Sequence, residues 1–187
     1  MSGQDGANTV LRSYTNPRRP NRMNKHCKIW EAARATSAAS TLFDPIAIGP
    51  RGETFVDGAL GFNNPIRLLD RESRDLWPND DRIFLSIGTG SPPTRNMQGN
   101  IVDLAKRLRE IVVETERTAD GFQQDNPALV SEHRYYRFNV LHGLEDVELQ
   151  EYQATAQIYA VTETYLELSD TVSKAELFIS SVAAPGK

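Results

Sequence analysis

The stretch Arg82-Ile83-Phe84-Leu85-Ser86-Ile87-Gly88 decides the fold class of this 187-residue chain. It is a short, continuous apolar run ended by glycine, the pattern of a strand buried on both faces of a parallel sheet. Parallel strands need a long crossover, and helical periodicity follows: Ile101, Leu104, Ala105, Leu108, Ile111 and Val112 recur at helical spacing with charges on the opposite face. Arg134–Val140 (RYYRFNV) reads as the next strand. Two helices finish the chain, one with a stripe of Leu149, Tyr152, Ala156, Tyr159 and Leu166, the other with Leu177, Phe178 and Val182.

Upstream, Val10–Tyr14 has a short strand-like composition. Lys28–Ala39 carries strong helix formers, with Trp30 and Ala33 on one face and small residues that permit close packing. Asp44-Pro45 and Gly49-Pro50 close that helix. Glu53–Val56 reads as a brief strand that stops at Asp57-Gly58, and Asn64 followed by Pro65 fits an N-cap with proline at the first helical position, opening a helix toward Leu76 and Trp77. The alternation predicts an α/β chain, a mostly parallel sheet flanked by helices, with right-handed crossovers. Residues 10–183 form the domain, between tails at 1–9 and 184–187. Trp30, Trp77 and the Tyr135-Tyr136 pair read as packing residues.

A chain of this length can bury roughly 70% of its unfolded surface and needs no covalent staple. Cys27 is the single cysteine, no Asn-x-Ser/Thr acceptor occurs, and no apolar run approaches the roughly 20 residues of a membrane helix. The expectation is a cytoplasmic setting. Charge is uneven: residues 11–28 hold six basic side chains and no acid, whereas residues 29–187 hold 15 bases against 24 acids. The basic segment reads as a solvated loop broken by Pro17 and Pro20, although such a segment can also touch anionic headgroups. The acidic remainder, with no zinc, helix-turn-helix or aromatic RNA-binding signature, argues against nucleic acid. His26, His133 and His142 have no metal-ligand spacing, and no cofactor is expected. Asp80-Asp81 reads as a solvated turn.

Two strand ends carry candidate chemistry, because reactive groups in open α/β sheets collect at the carboxyl edge. At Phe55-Val56-Asp57-Gly58-Ala59 a carboxylate directly follows a strand, with Gly58 expected to let the backbone turn without an obstructing Cβ. Such a carboxylate can take a proton from a nucleophilic hydroxyl; it can equally close an Asx turn. At Ile87-Gly88-Thr89-Gly90 the glycines suggest a phosphate loop, but Ser91, Pro92 and Pro93 follow where a helix should begin. Close backbone packing explains these glycines better.

Together, Lys28–Phe43 (KIWEAARATSAASTLF), Phe55–Pro65 (FVDGALGFNNP) and Phe84–Gly90 (FLSIGTG) resemble the patatin-like phospholipases, particularly the fungal and calcium-independent phospholipase A2-like members. Leu11–Tyr14 and Tyr135–Val140 look like that family's flanking strands. The resemblance implies an acyl hydrolase with a serine–aspartate dyad acting on phospholipid or acylglycerol esters, with peripheral membrane contact. Its Asp-Gly-Gly/Ala motif falls on Asp57, Gly58 and Ala59, making Asp57 the dyad's general base, and Asn63, Asn64 and Pro65 match the segment that follows.

The family's Gly-x-Ser-x-Gly elbow and glycine-rich oxyanion loop have no counterpart here: no glycine is followed two positions later by serine, and no Gly-Gly pair occurs. Ser40 stands where the family usually has proline. The expectation is therefore the carboxy-terminal portion of a lipid acyl hydrolase domain, inactive alone, with no oligomeric state implied. The alternative is a noncatalytic remnant that serves as an interaction or regulatory module. A free-standing enzyme using Ser86, Ser91 or Cys27 is disfavoured, since none of these sits on a glycine-flanked elbow.

Overall fold

The structure is a computed structural model describing residues 9–39, 43–90, 102–145, 147 and 151–183, with backbone alone at 22, 24, 60 and 102–112. Residues 1–8 and 184–187, Ser40, Ser91, Ile101, Leu149, and the side chains of Leu104, Ala105, Leu108, Ile111 and Val112 lie outside that description. The chain divides into two compact units, Met1–Pro78 and Asn79–Lys187.

In the first unit, a 3₁₀ turn at Arg22–Lys25 leads into α1 (Ile29–Thr36), β1 (Ile46–Ile48), β2 (Glu53–Phe55), α2 (Ala59–Phe62) and α3 (Ile66–Leu76). β1 and β2 pair antiparallel, Ile46 opposite Phe55 and Ile48 opposite Glu53. Gly49 and Gly52 close the hairpin with φ of +79° and +63°, the left-handed region that favours glycine. β1 is new relative to the sequence reading, which took Gly49-Pro50 only as the end of a helix. Met23, Ala35, Ile48 and Phe55 form the core, with Leu11, Cys27 and Ile46 against it.

Val10–Tyr14 is no strand. Its backbone is held by side chains instead: Asn21 Nδ2 donates to Val10 O at 3.1 Å, and Arg12 reaches across to α3. α1 also turns differently from expectation. Ala35 is its buried residue, whereas Ile29 and Trp30 are 90% and 60% exposed; the face bearing Trp30 and Ala33 points outward. Trp77 is exposed too.

In the second unit, β3 (Phe84–Ile87) and β4 (Tyr135–Phe138) pair in parallel, Phe84 opposite Tyr135 and Ile87 opposite Phe138. Helices α4 (Val102–Asp125) and α5 (Pro127–Ser131) lie between them in sequence, and α6 (Thr155–Glu167) and α7 (Ser169–Ala183) follow. The β3–helix–β4 crossover makes the chain α/β, with a small parallel sheet flanked by helices. On one face Phe122 of α4 meets Phe84 edge-on at 6.0 Å and Tyr135 at 5.2 Å between ring centres. On the other, Phe178 of α7 meets Tyr136 at 5.2 Å, and the Tyr136 and Ser181 hydroxyls lie 2.7 Å apart. Tyr135 and Tyr136 are packing residues as expected.

β3 itself departs from expectation. Phe84 is buried, but Leu85 is exposed and Ile87 is 73% exposed, so among the described residues the run is covered on one face only. α7 covers Tyr136 on that side and leaves the neighbouring Leu85 and Ile87 uncovered. Tyr152, Tyr159 and Leu166, read as one apolar stripe, are also exposed.

Candidate functional site

Asp57 stands two residues beyond the last residue of β2. Its N–H donates to Ala38 O at 3.0 Å, which ties the strand exit to the segment after α1. Its Oδ1 accepts the Ala59 N–H at 2.7 Å, an Asx turn that opens α2. The side chain is half-buried, and among the described residues Oδ2 takes no hydrogen bond. A carboxylate held by one oxygen and open at the other can accept a proton from an incoming hydroxyl.

Gly58 corrects the sequence reading. Its φ of −69° and ψ of −16° suit any residue, and a Cβ built there would meet nothing within 4 Å. The turn therefore does not require glycine. Asn64 is buried, with Oδ1 accepting the Ile66 N–H at 3.2 Å, while Pro65 occupies the cap and the helix begins one residue later than expected. Asn63 lies exposed at the end of α2.

The second strand end is closed. Gly88 N–H continues the parallel ladder to Phe138 O at 2.7 Å, and Gly90, at φ +106°, donates its N–H to Asn139 Oδ1 at 2.8 Å. A Cβ on Gly88 would sit 2.2 Å from Asn139 Oδ1 and 2.9 Å from Arg137 Nη2. These glycines make room for a side-chain clamp, and the amide a phosphate would need is already bonded. The clamp extends inward: Asn139 Nδ2 donates to Glu116 Oε1 at 3.2 Å, Arg137 Nη2 to the same oxygen at 2.5 Å, and Arg137 Nη1 to Ser86 Oγ at 2.9 Å. Ser86 thus accepts from a cation that cannot serve as a base. Cys27 is half-buried, its thiol pushed up by burial and, to a lesser degree, by Glu31, the opposite of an activated nucleophile.

Sequence reasoning missed a buried ion-pair network. Arg12 binds Glu72 of α3 through both nitrogens, Nε to Oε2 at 2.7 Å and Nη2 to Oε1 at 2.5 Å, with both side chains 5% exposed. Asn16 Nδ2 donates to Glu72 Oε2 at 3.1 Å, and Arg19 Nε to Asp75 Oδ2 at 2.5 Å. Hydrogen bonding to Arg12 foremost, with Asn16 assisting, lowers Glu72 from the usual 4.5 to about 2. The basic segment is therefore no free loop over Arg12–Arg19; the signal was two acids at i, i+3 on one helix and an acid-free run of arginines. Asp81 is exposed as expected, though it pairs with Arg134 at 3.0 Å. His26, His133 and His142 are exposed, and no cluster of three metal-ligating side chains occurs among the described residues. No helix among them is long and apolar enough to cross a membrane.

An α/β chain that presents a half-open carboxylate just past a strand belongs, on these features, among candidates for hydrolase chemistry. Residues 3–70 match the patatin-like phospholipase family. The chain is 31% identical over 115 residues to the calcium-independent phospholipase A2-gamma of Mus musculus, covering 60% of this chain and 14% of that protein. The Oryctolagus cuniculus protein of the same name is 29% identical over 113 residues, and that of Homo sapiens 41% identical over 64 residues, 34% of this chain and 8% of the human protein. Residues 3–70 are therefore similar to part of a patatin-like phospholipase domain, and the chain spans about one seventh of the length of the mouse relative. No solved structure matches it.

Proposed function

We propose that this chain is the portion of a lipid acyl hydrolase domain that supplies the general base of a serine–aspartate dyad, with ester bonds of phospholipids or acylglycerols as substrate. The single observation that supports this most is the half-open Asp57 carboxylate, inside the segment that matches the family. Oδ1 is pinned by Ala59 N–H while Oδ2 takes no hydrogen bond among the described residues, so the group is oriented before a reaction begins. A serine hydroxyl delivered to Oδ2 would pass its proton there as its oxygen attacks the ester carbonyl. The protonated acid would return that proton to the departing alkoxide, and the same carboxylate would then activate water to release the fatty acid. The empty space over Gly58 leaves room for a second segment to approach.

The serine and the oxyanion donors are not among these 187 residues in any Gly-x-Ser-x-Gly or glycine-rich form. Polarised donors for the oxyanion commonly contribute about 3 kcal/mol, so the chain alone is expected to be inert toward esters. In the natural polypeptide carrying a Gly-x-Ser-x-Gly elbow, Asp57→Asn should lower kcat for a phospholipid or nitrophenyl ester by about 10²- to 10⁴-fold. Turnover near wild type would remove Asp57 from the dyad.

A second reading, a noncatalytic interaction module, is favoured by one observation: the exposed Leu85 and Ile87 of β3. It requires a folded, ester-inert chain whose β3 amides become protected from hydrogen exchange by a polypeptide partner.

A further inference from the structure

We propose that the outward face of α6, built from Tyr152, Tyr159 and Leu166 with Glu163 and Glu167 beside them, docks an arginine-bearing amphipathic helix of another polypeptide. The face lies outside residues 3–70, and the inference does not depend on ester hydrolysis by the chain.

Seven residues of α-helix turn through about 700°, so Tyr159 and Leu166 share one face of α6, on which Ala156, Glu163 and Glu167 also fall. Tyr152 opens the 3₁₀ turn (Tyr152–Ala154) that runs into α6 and extends this face to roughly 20 Å. The helix is seated by its other side. There the Tyr165 hydroxyl accepts the Asn139 N–H at 3.2 Å, and Val161 lies so close to Gly143 that a Cβ on the glycine would sit 2.9 Å from its Cγ1. The stripe therefore points away from the contacts that hold α6, and Tyr152, Tyr159 and Leu166 are 81%, 63% and 53% exposed. Two aromatic rings and a leucine in line form an apolar face with no cover among the described residues.

Charge decides what fits it. Residues 144–183 hold eight acids and one base, Lys174, and α6 itself has no base. Lys174 is engaged elsewhere: its Nζ donates to Arg137 O at 3.2 Å and lies 5.6 Å from the centre of the Phe138 ring. Among the described residues no cation pairs with Glu163, Glu167 or Asp170, whereas Arg134 is taken by Asp81 and Glu132, and Arg137 by Glu116. Tyr159 Oη donates to Glu163 Oε1 at 2.6 Å, which fixes a carboxylate directly beside an aromatic ring. A second copy of α6 would bring the same acids against these, and an anionic surface would be repelled. An arginine-bearing amphipathic helix answers both features. Its apolar side chains meet Tyr159 and Leu166 at helical spacing, while its guanidinium groups pair with the carboxylates and stack on the tyrosine rings.

The experiment titrates the full chain into a fluorescein-labelled synthetic helix with leucine along one face and arginine on its flanks, and into an analogue with glutamate at every arginine position. Anisotropy should report saturable binding of the arginine helix alone, weakening as salt rises. Tyr159→Ala should weaken it about ten-fold and Leu166→Ser about five-fold, and Glu163→Gln and Glu167→Gln about three-fold each. Asp80→Asn, which removes an exposed acid elsewhere in the second unit, should leave it unchanged. The altered side chains are exposed, so circular dichroism should match the parent, and bound peptide should slow hydrogen exchange in α6. No binding, equal binding of the acidic analogue, protection confined to β3, or a loss with Asp80→Asn as large as with Glu163→Gln would overturn the proposal. So would self-association of the parent that Tyr159→Ala abolishes, which would assign the face to a second copy.

Discussion

The exits of β2 and β3 each leave a strand through a glycine, and the two glycines have opposite physical reasons. At Gly88 the fold leaves no room: Asn139 and Arg137 occupy the space a Cβ would fill, and their bonds to Gly90, Glu116 and Ser86 knit the exit shut. At Gly58 the backbone is ordinary and a Cβ would meet nothing within 4 Å among the described residues, where the adjacent Asp57 also keeps one carboxylate oxygen unbonded. A closed exit holds a sheet together. At the open exit Oδ1 of Asp57 closes the turn that opens α2, but among the described residues Oδ2 takes no hydrogen bond, which directs the functional reading to Asp57 rather than to the glycine-rich Gly88-Thr89-Gly90.

The comparison breaks first at Gly88→Ala. Displacing Asn139 and Arg137 combines overpacking with the loss of buried hydrogen bonds, and should destabilise the second unit by about 3 kcal/mol. Hydrogen exchange along β3 and β4 locates the effect, and protection equal to the parent would mean the clamp is loose. Asn139→Ala tests the same clamp without the clash. It leaves the Gly90 N–H without its acceptor, at about 1–3 kcal/mol, and should speed exchange at Gly90 more than at Phe84.

How much of this was legible in the sequence depends on how local each cause is. Strand and helix identities followed from short-range periodicity: the observed Phe84–Ile87 and Tyr135–Phe138 lie inside the predicted strands, and α3, α6 and α7 formed where apolar spacing placed them. Which face a segment buries depends on distant partners, and there periodicity misled at Leu85, Ile87 and Trp30. Val10–Tyr14 failed as a strand for the same reason, because Arg12 is held by a residue 60 positions away. Asp57 was legible as a candidate from its place after a strand, whereas its Asx turn and its free oxygen needed coordinates.

The Arg12–Glu72 pair extends the contrast to pH. Glu72 has a folded pKa of about 2, below its usual 4.5, so its stabilisation is fully present above about 4.5 and is lost as pH falls toward 2. Discounted for solvent screening, the contribution is on the order of 1–2 kcal/mol. Urea midpoints measured across that window should fall for the parent chain more steeply than for Glu72→Gln, which should already be weaker at neutral pH because Arg12 loses its buried counter-charge. Superimposable acid limbs would show that the pair is not formed in solution.

The smallest expected effect is at Gly58→Ala, and it sharpens the comparison most. With φ at −69° and open space around the new methyl group, the substitution strains nothing. It removes backbone freedom from the unfolded chain, so stability should be unchanged or rise by about 0.4–1 kcal/mol. If the space above Gly58 is where a serine-bearing segment approaches in the natural polypeptide, the same methyl group should obstruct that approach and lower ester turnover while leaving the fold intact. A variant that loses stability instead would show that the β2 exit is as tightly built as the β3 exit. The reason for assigning chemistry to one and architecture to the other would then be gone.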